Sequence, residues 1–419
     1  MGSDIDRRSF LRGGLLVTTT AALGVLVGCA PSDAPSSDSA PSSPSPTSTP
    51  SGAASADAVP GASARPTLSP SFGPNGTHFP DSTPWPGESA ASDLVVDCSW
   101  EAIGAAVGGL TAAQVAAGAV IRVSPGTLPG NGAKSSSNPV LAGLGDPSWQ
   151  RNVLICPADG FGSVTVAAEG IRLDACSRLS LFGFLSGGSF TLTECASMQL
   201  GWSRLDALNV TRGGTDLEMH ELVLGFRYNP EDTVGIRPTD ANAMTGISRY
   251  GCVFGPSVKP ADSDAHCDTM QLEGTGTGEF GPFLNVDCVD YGSSNAAMLL
   301  HTQVTRAEFR HCMVLGDTLP WEVFPLRPGD YEGTPNAFSG GCEDVRAYDS
   351  VIAGPIGGMG FTDVQNTILS YPPQDKQQPS GSGSWTVDTS VASWDRDDIM
   401  SRQSVDDYEP ATLTALWAW

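Results

Sequence analysis

Positive charge is scarce in this 419-residue chain: 22 lysines and arginines stand against 46 aspartates and glutamates, a formal net charge of −24. A nucleic-acid partner held through its phosphates is excluded by that balance. The acidity fits a soluble life outside the cell, and a polyanionic ligand would need a basic cleft or a bound cation to offset it locally. Also missing are a Cys-x-x-Cys pair, a zinc-ligand spacing, a phosphate-cradling glycine loop and a Gly-x-Ser-x-Gly elbow. Zinc modules, nucleotide-binding loops and hydrolases built on a nucleophile elbow therefore drop out. Lysine and glutamate are thin while Gly, Val, Leu and Thr abound, which favours strands over helices. The hairpin signals that an antiparallel sandwich shows every ~8–12 residues are scarce as well.

The N-terminal residues carry a cationic run, Arg7-Arg8-Ser9-Phe10-Leu11-Arg12, then a mostly apolar stretch from Gly13 to Gly28 that ends Leu26-Val27-Gly28-Cys29. That stretch is short of the ~20 apolar residues a membrane-spanning helix needs and suits the core of a cleavable signal. The run resembles the twin-arginine export consensus, and the Cys29 segment resembles a bacterial lipobox. The resemblance implies cleavage after residue 28, lipidation of Cys29, and export of an already folded domain to the outer face of the cytoplasmic membrane. From Ala30 to about Ser92 the chain is Ser, Pro, Ala, Thr and Gly, a composition that cannot repay its ordering entropy, so a disordered linker is expected over 29–92. A tether of that kind suits passage through the wall of a Gram-positive bacterium.

Between 93 and 373 the informative feature is an internal repeat. Segments such as Ile171–Cys176, Phe190–Cys195, Leu217–Leu222, Ile247–Cys252, Phe283–Cys288, Ala307–Cys312, Val345–Ser350 and Thr362–Thr367 each read as a short strand, a corner, and the start of another apolar run. Their anchors lie 19, 27, 30, 36, 24, 38 and 17 residues apart. A fixed minimum turn with the excess in loops predicts an irregular parallel β-helix whose equivalent residues stack at the ~4.8 Å strand spacing. Cys176, Cys195, Cys252, Cys288 and Cys312 align with Leu222, Ser350 and Thr367 and are expected to form one interior ladder of free thiols. The opening Trp100–Val107, Gly118–Val123 and Pro125-Gly-Thr127 resembles that of right-handed, pectate-lyase-like β-helices, which implies a capping helix over the first coil. Residues 374–419 are expected to form a loop and a cap over the last rung, with Trp385 and Trp419 packed there.

A second alignment concerns the outward face. Asp232–Arg237, Asp268–Glu273, Met298–His301 and Phe324–Arg327 share one frame, so alternation turns Val234, Ile236, Met270, Leu272, Met298 and Leu300 inward. Arg237, Glu273, His301 and Arg327 are then expected to stack in one outward column, with Gln271 two residues back. The loop before the second of these strands adds Lys259, Asp262, Asp264, His266 and Asp268, and insertions at about 255–267, 315–323 and 328–341 are expected to wall the face into a cleft. His220 and His311 are placed at corners, on the surface.

The leading expectation for such a face is polysaccharide lyase chemistry on a uronic-acid-containing or cell-wall glycan. Elimination needs a cation at the carboxylate, a base for the neighbouring proton and an acid at the leaving oxygen. Asp262, Asp264, Asp268 and Glu273 are the candidate Ca²⁺ ligands, since that ion takes six to eight oxygens. His301 is the candidate base, with Arg327 its alternative by resemblance to pectate-lyase-like enzymes. His266 joins the catalytic set, Arg237 and Arg327 bind carboxylates, and Gln271 and Lys259 bind substrate. The alternatives are a glycoside hydrolase using two of the four carboxylates, weakened by the lack of the Gly-His-Gly segment of polygalacturonase-type β-helices, and a non-catalytic glycan-binding or structural surface protein. A monomer is expected.

Overall fold

The computed structural model describes residues 71–134, 137–275 and 278–419. The twin-arginine run, the apolar stretch, Cys29 and the linker up to residue 70 lie outside the described residues. No helix among the described residues is long and apolar enough to cross a membrane.

Short strands with inward residues at every second position stack upon their successors one rung later, and the strands pair in parallel throughout. The chain is a parallel β-helix. One sheet is formed by Ile171–Asp174, Ser189–Ala196, the first part of Ala207–His220, Val234–Arg237, Asp268–Leu272, Ala296–Leu300 and Asn336–Gly340. A second runs from Ala119–Val123 through Leu179–Phe182, Gln199–Gly201, the end of Ala207–His220, Met244–Tyr250 and Phe283–Val286 to Val345–Tyr348. The third consists of two- and three-residue strands such as Val223–Leu224, Val253–Phe254 and Val289–Tyr291. Leu192, Val210, Ile236, Leu272 and Leu300 make one inward column, and Ile121, Ile155, Leu181, Leu200 and Met219 face them from the second sheet. All are buried, each worth about 1.5–3 kcal/mol in the hydrophobic ledger.

The first coil is closed as expected. Helix α1 (Trp100–Gly108) starts at Ser99, whose hydroxyl accepts from the Ala102 amide, and α2 (Ala112–Ala117) starts with a Thr111–Gln114 capping box. Trp100, Ile103, Val107 and Val115 turn into the same core as Ile121 and Val123, covering what would be an open coil end.

One expectation about the interior needs correction. The five cysteines are buried free thiols, but they form two ladders. Ile171 pairs with Phe190 in the first sheet whereas Ile247 pairs with Phe283 in the second, so Cys176 and Cys195 sit at the corner between those sheets. Cys252, Cys288 and Cys312 sit one corner later, at the entry to the third sheet, where Leu222, Ser350 and Thr367 also lie. The core also holds a charged pair: Arg249 donates to both oxygens of Asp290 at 2.7 and 2.9 Å and to Asn285 Oδ1 at 2.6 Å, with pair side chains 0 % exposed.

Residues 71–91, assigned to the linker from composition, are instead laid along the outside of the coil. Phe79 and Trp85 are buried there with Phe182 and Trp202 in a second apolar cluster. The C-terminal region likewise differs from a simple cap. Ser382–Val387 pairs with the last rung and Trp385 packs edge-on to Phe361 at 4.8 Å. Beyond it the chain returns to the early rungs, where Trp417 meets Phe161 and Trp419 approaches Trp202. The two straps touch: Phe72 N–H donates to Arg402 O at 3.0 Å, and Ser404 N–H to Phe72 O at 2.8 Å.

Both straps converge on Glu221, a fully buried carboxylate. It accepts from the amides of Gly76, Thr77 and His78 at 2.8–3.0 Å and from Trp417 Nε1 at 2.8 Å. The His78 ring lies between Glu221 (Nδ1, 2.9 Å) and Asp287 (Nε2, 3.2 Å). Burial alone would lower this imidazole, but hydrogen bonds and charge from Asp287 and Glu221 outweigh it and hold it up at about 10. A raised cation contributes stability that is fully present below the free imidazole's ~6.5 and is lost as pH climbs from there through the folded value. The melting temperature is therefore expected to fall by several degrees between about pH 6.5 and 10, and His78→Gln to remove most of that slope. Thermal melts of both proteins across this range check it; equal slopes would contradict the assignment.

Candidate active site

The first sheet carries a line of polar side chains on its outer face, and backbone register places them. Ile236 pairs with Leu272 and Leu272 with Leu300. The next residues continue the ladder, Glu273 N–H donating to Ile236 O at 3.3 Å and His301 N–H to Leu272 O at 3.1 Å. Arg237, Glu273 and His301 thus stack on three successive rungs, as the frame predicts. Gln271 stands beside Gly235, one step back.

The fourth expected member is elsewhere. Leu300 pairs with Gly340, so the next rung is Asn336–Gly340. Phe324–Arg327 follows helix α3 (Leu319–Val323) in a loop above the sheet. There Arg327 lies over the Tyr228 ring at 3.4 Å, its amide held by Asp330 at 2.7 Å. The insertions do meet: Tyr331 N–H donates to Lys259 O at 2.9 Å, and Lys259 Nζ sits 4.7 Å from the Tyr331 ring while donating to Ala265 O at 2.7 Å. Part of the expected third insertion is itself the strand Asn336–Gly340.

Arg237 is the hub of the line. It donates to Asp232 Oδ2 and Gln271 Oε1, both at 2.6 Å, and to Asn209 Oδ1 at 3.3 Å. Gly235 makes this possible: a Cβ there would lie 1.8 Å from Arg237 Nη1, so only glycine lets the guanidinium fold back across its own strand. Gln271 Nε2 donates to Glu273 Oε2 at 3.4 Å, and Glu273 Oε1 lies 4.0 Å from His301 Nε2. The side chains of Arg237, Glu273 and His301 are 37, 43 and 39 % exposed, open enough to meet a ligand.

Behind the line sit two carboxyls. Asp232 Oδ1 accepts from the Asp268 amide at 2.9 Å; burial raises its pKa, with that bond and Arg237 opposing. Asp268 is 0 % exposed. Burial pushes its carboxyl up to about 7, with the charges of Asp232 and Glu273 acting in the same direction and Asn295 and Arg237 opposing. Asn295 Nδ2 holds Asp268 Oδ1 at 2.6 Å, while Oδ2 is buried without a hydrogen-bond partner. The exposed His266 ring reaches to 3.8 Å of that oxygen. Asp232, Asn295 and Asn209 were not singled out from the sequence; Asp232 was legible, since it occupies the place in its segment that Asp268 occupies one rung later.

The expected calcium ligands do not assemble. Asp262 and Asp264 are exposed on a loop that folds on itself through Lys259, Ser263 and Ala265. Among the described residues, three or more His, Cys, Asp or Glu side chains nowhere converge on a metal-holding geometry. Asp232 is already committed to Arg237 and the Asp268 amide, and Asp268 Oδ1 to Asn295. The donor set does not fit a hard cation that demands six to eight free oxygens. The histidines at the corners also differ from expectation: His220 is buried beneath the N-terminal strap, 3.1 Å from Glu218 and stacked on Tyr250 at 5.0 Å, while His311 is partly covered and bound to Asp287 at 2.8 Å.

Fold and site together define a parallel β-helix with a polar shelf on one sheet. Neither a protein-family model nor a curated protein matches the chain. Among solved structures, a PL6-family alginate lyase is similar over 71 % of this chain and 53 % of its own, at 12 % identity and a TM-score of 0.34. A PL6-family polysaccharide lyase from Pseudopedobacter saltans covers 66 % of this chain and 63 % of its own (12 %, 0.32). The A-module of an Azotobacter vinelandii mannuronan C-5 epimerase covers 71 % and 93 % (11 %, 0.34). The chain thus spans about half the length of the first of these and 63 % of the second. Similarity of this degree carries no argument about this chain, whose fold rests on its own strand pairing.

Proposed function

We propose that this chain is an exported, polysaccharide-active protein whose shelf cleaves a uronic-acid-containing glycan by β-elimination. The observation that supports it is the line Arg237–Gln271–Glu273–His301 on adjacent rungs, backed by a buried carboxyl with an unpartnered oxygen. The base takes the proton beside the sugar's carboxylate, the electron pair forms the new carbon–carbon double bond, and the glycosidic oxygen leaves with a proton. Arg237 and the Gln271 amide bind the carboxylate and spread the charge that develops on it. His301 is the base, with Glu273 beside it to stabilise the imidazolium. His266, backed by Asp268, supplies the proton to the leaving oxygen. Lys259 and Arg327, on the rim, attract neighbouring uronates. This route needs no metal ligand from the shelf, so chelator is expected to leave the rate unchanged.

The test is the full chain incubated with a panel of polyuronates, followed by the ultraviolet absorbance of the unsaturated product. The pre-paired guanidinium of Arg237 also suits a rigid, non-catalytic glycan platform. Binding without absorbance across the panel would select that reading and end the lyase proposal. A two-carboxylate hydrolase drawn from Asp262, Asp264, Asp268 and Glu273 is disfavoured because Asp262 and Asp264 lie exposed on their own loop and Asp268 is buried with Asn295 holding its Oδ1.

For location, the proposal is a lipid on Cys29 that holds the domain at the outer face of the cytoplasmic membrane, through a linker ending near residue 70. Two acyl chains make a stable anchor. In a twin-arginine-competent host, the protein is expected to incorporate a palmitate analogue and sediment with membranes. Cys29→Ala is expected to abolish labelling; undiminished labelling would refute the assignment.

A further inference from the structure

A second polar concavity lies on the second sheet, where the N-terminal strap crosses it. A cavity of about 250 Å³ is lined by Asn152, Arg178, Gln199, Asp216, Glu218 and Ser248. It adjoins a wider one of about 450 Å³ that shares Ser82 and Glu218 and is lined by His220 and Tyr250. Both fall near the scale of small-ligand sites, ~300–1,000 Å³. Register builds this wall: Ser180, Gln199, Glu218 and Ser248 occupy one outward column on consecutive rungs, and Gly201, His220 and Tyr250 the column two residues on.

Two groups here are unsatisfied. Asn152 is 1 % exposed; its amide nitrogen donates to Ser197 O at 2.8 Å, but Oδ1 has no partner. Arg178 Nε is likewise buried without an acceptor. Leaving such groups unpaired costs about 1–3 kcal/mol each, which a ligand presenting both donors and acceptors would recover. At the other end Tyr250 stacks on His220 with planes 18° apart, a partly exposed ring whose position is held from behind.

We infer that this groove binds a neutral, hydroxyl-rich saccharide, as a site separate from the shelf. Each sugar hydroxyl both donates and accepts, so one ring can give a proton to Asn152 Oδ1, Asp216 or Glu218 and take one from Arg178. The apolar face of a pyranose covers the Tyr250 ring. Glu218 is already oriented by Gln199 Nε2 at 2.7 Å and by His220 at 3.1 Å. Three carboxylates (Asp81, Asp216 and Glu218) against the Arg178 guanidinium and the His78 imidazolium, on a chain of net charge −24, turn away a polyuronate. The groove and the shelf therefore select different sugars, and a glycan of mixed composition or two neighbouring glycans can be held at once.

The test uses the full chain and calorimetric titration with cellohexaose, xylohexaose, mannohexaose and maltohexaose, with an oligouronate as the anionic arm. At least one neutral hexasaccharide is expected to bind. Ser248→Phe, which fills the groove from a partly exposed position, is expected to weaken it at least tenfold without changing the polyuronate reaction. Arg178→Gln serves as a second variant should the first misfold, with circular dichroism as the folding control. His301→Ala is expected to leave neutral-sugar binding intact, so loss of the shelf's activity and loss of the groove are read separately. No binding by any neutral hexasaccharide, binding of the oligouronate alone, or binding that survives both groove variants would overturn the inference.

Discussion

Asp290→Ala is expected to cost the fold about 3–5 kcal/mol, because it strands a guanidinium inside the coil. Arg249 enters the interior at a position where the rungs before it place Leu200 and Met219. Each of its three nitrogens donates to Asp290 or to Asn285 Oδ1, and the guanidinium lies over the faces of Phe254 and Phe283 at 4.6 and 5.3 Å. Removing the carboxylate leaves the charge with no water to turn to. The informative comparison is Arg249→Met combined with Asp290→Leu and Asn285→Leu, which removes charge and partners together. That triple variant is expected to lie near the wild type in denaturant midpoint, since well-packed apolar residues commonly equal a buried pair. Urea titrations of the two variants check both halves. A mild Asp290→Ala would mean that water reaches the pair, and a triple variant as weak as the single one would mean that the pair specifies the packing of those rungs.

The second large effect is expected at His301. If the shelf eliminates across uronates, His301→Ala lowers the turnover rate by about 10²–10⁴, the usual range for a positioned base, while affinity for the polymer stays close to unchanged. The loss falls on turnover because Arg237, the proposed carboxylate binder, is held by Asp232 and Asn209 and itself holds Gln271, none of which depends on the imidazole. Arg237→Gln is expected to raise KM and lower kcat together, since the guanidinium is proposed both to bind the carboxylate and to spread the charge that develops on it. Initial rates by absorbance with and without EDTA separate these outcomes; full activity in His301→Ala would remove it from the base role.

Much of the shelf was legible in the sequence because inward and outward residues alternate strictly from Val234 to Leu300, and a one-residue slip would bury every polar group in the line. The frame failed one rung later for a physical reason. Phe324-Pro-Leu-Arg327 and Ala337-Phe-Ser-Gly340 both alternate, and insertion length cannot choose between them. Pro325 could have, since a residue without an N–H breaks a central ladder. His220 looked exposed because its own strand turns it outward; what covers it comes from residues 77–82, far away in sequence. Phe72, Phe79 and Trp85 were the visible sign of that strap, three aromatics in a segment otherwise of small, polar and proline residues. The merged cysteine ladders show the converse limit, as two corners with similar local patterns cannot be told apart without the pairing.

The contact between the straps has a consequence for synthesis. Phe72 is among the first described residues to leave the ribosome, yet its backbone partners are Arg402 and Ser404, and Glu221 waits for Trp417. Rungs can stack as they emerge, but the flank over Phe79, Trp85 and Trp202 is sealed only when the last turn of the chain arrives. A prematurely terminated product would therefore carry an aromatic stripe that the finished one hides.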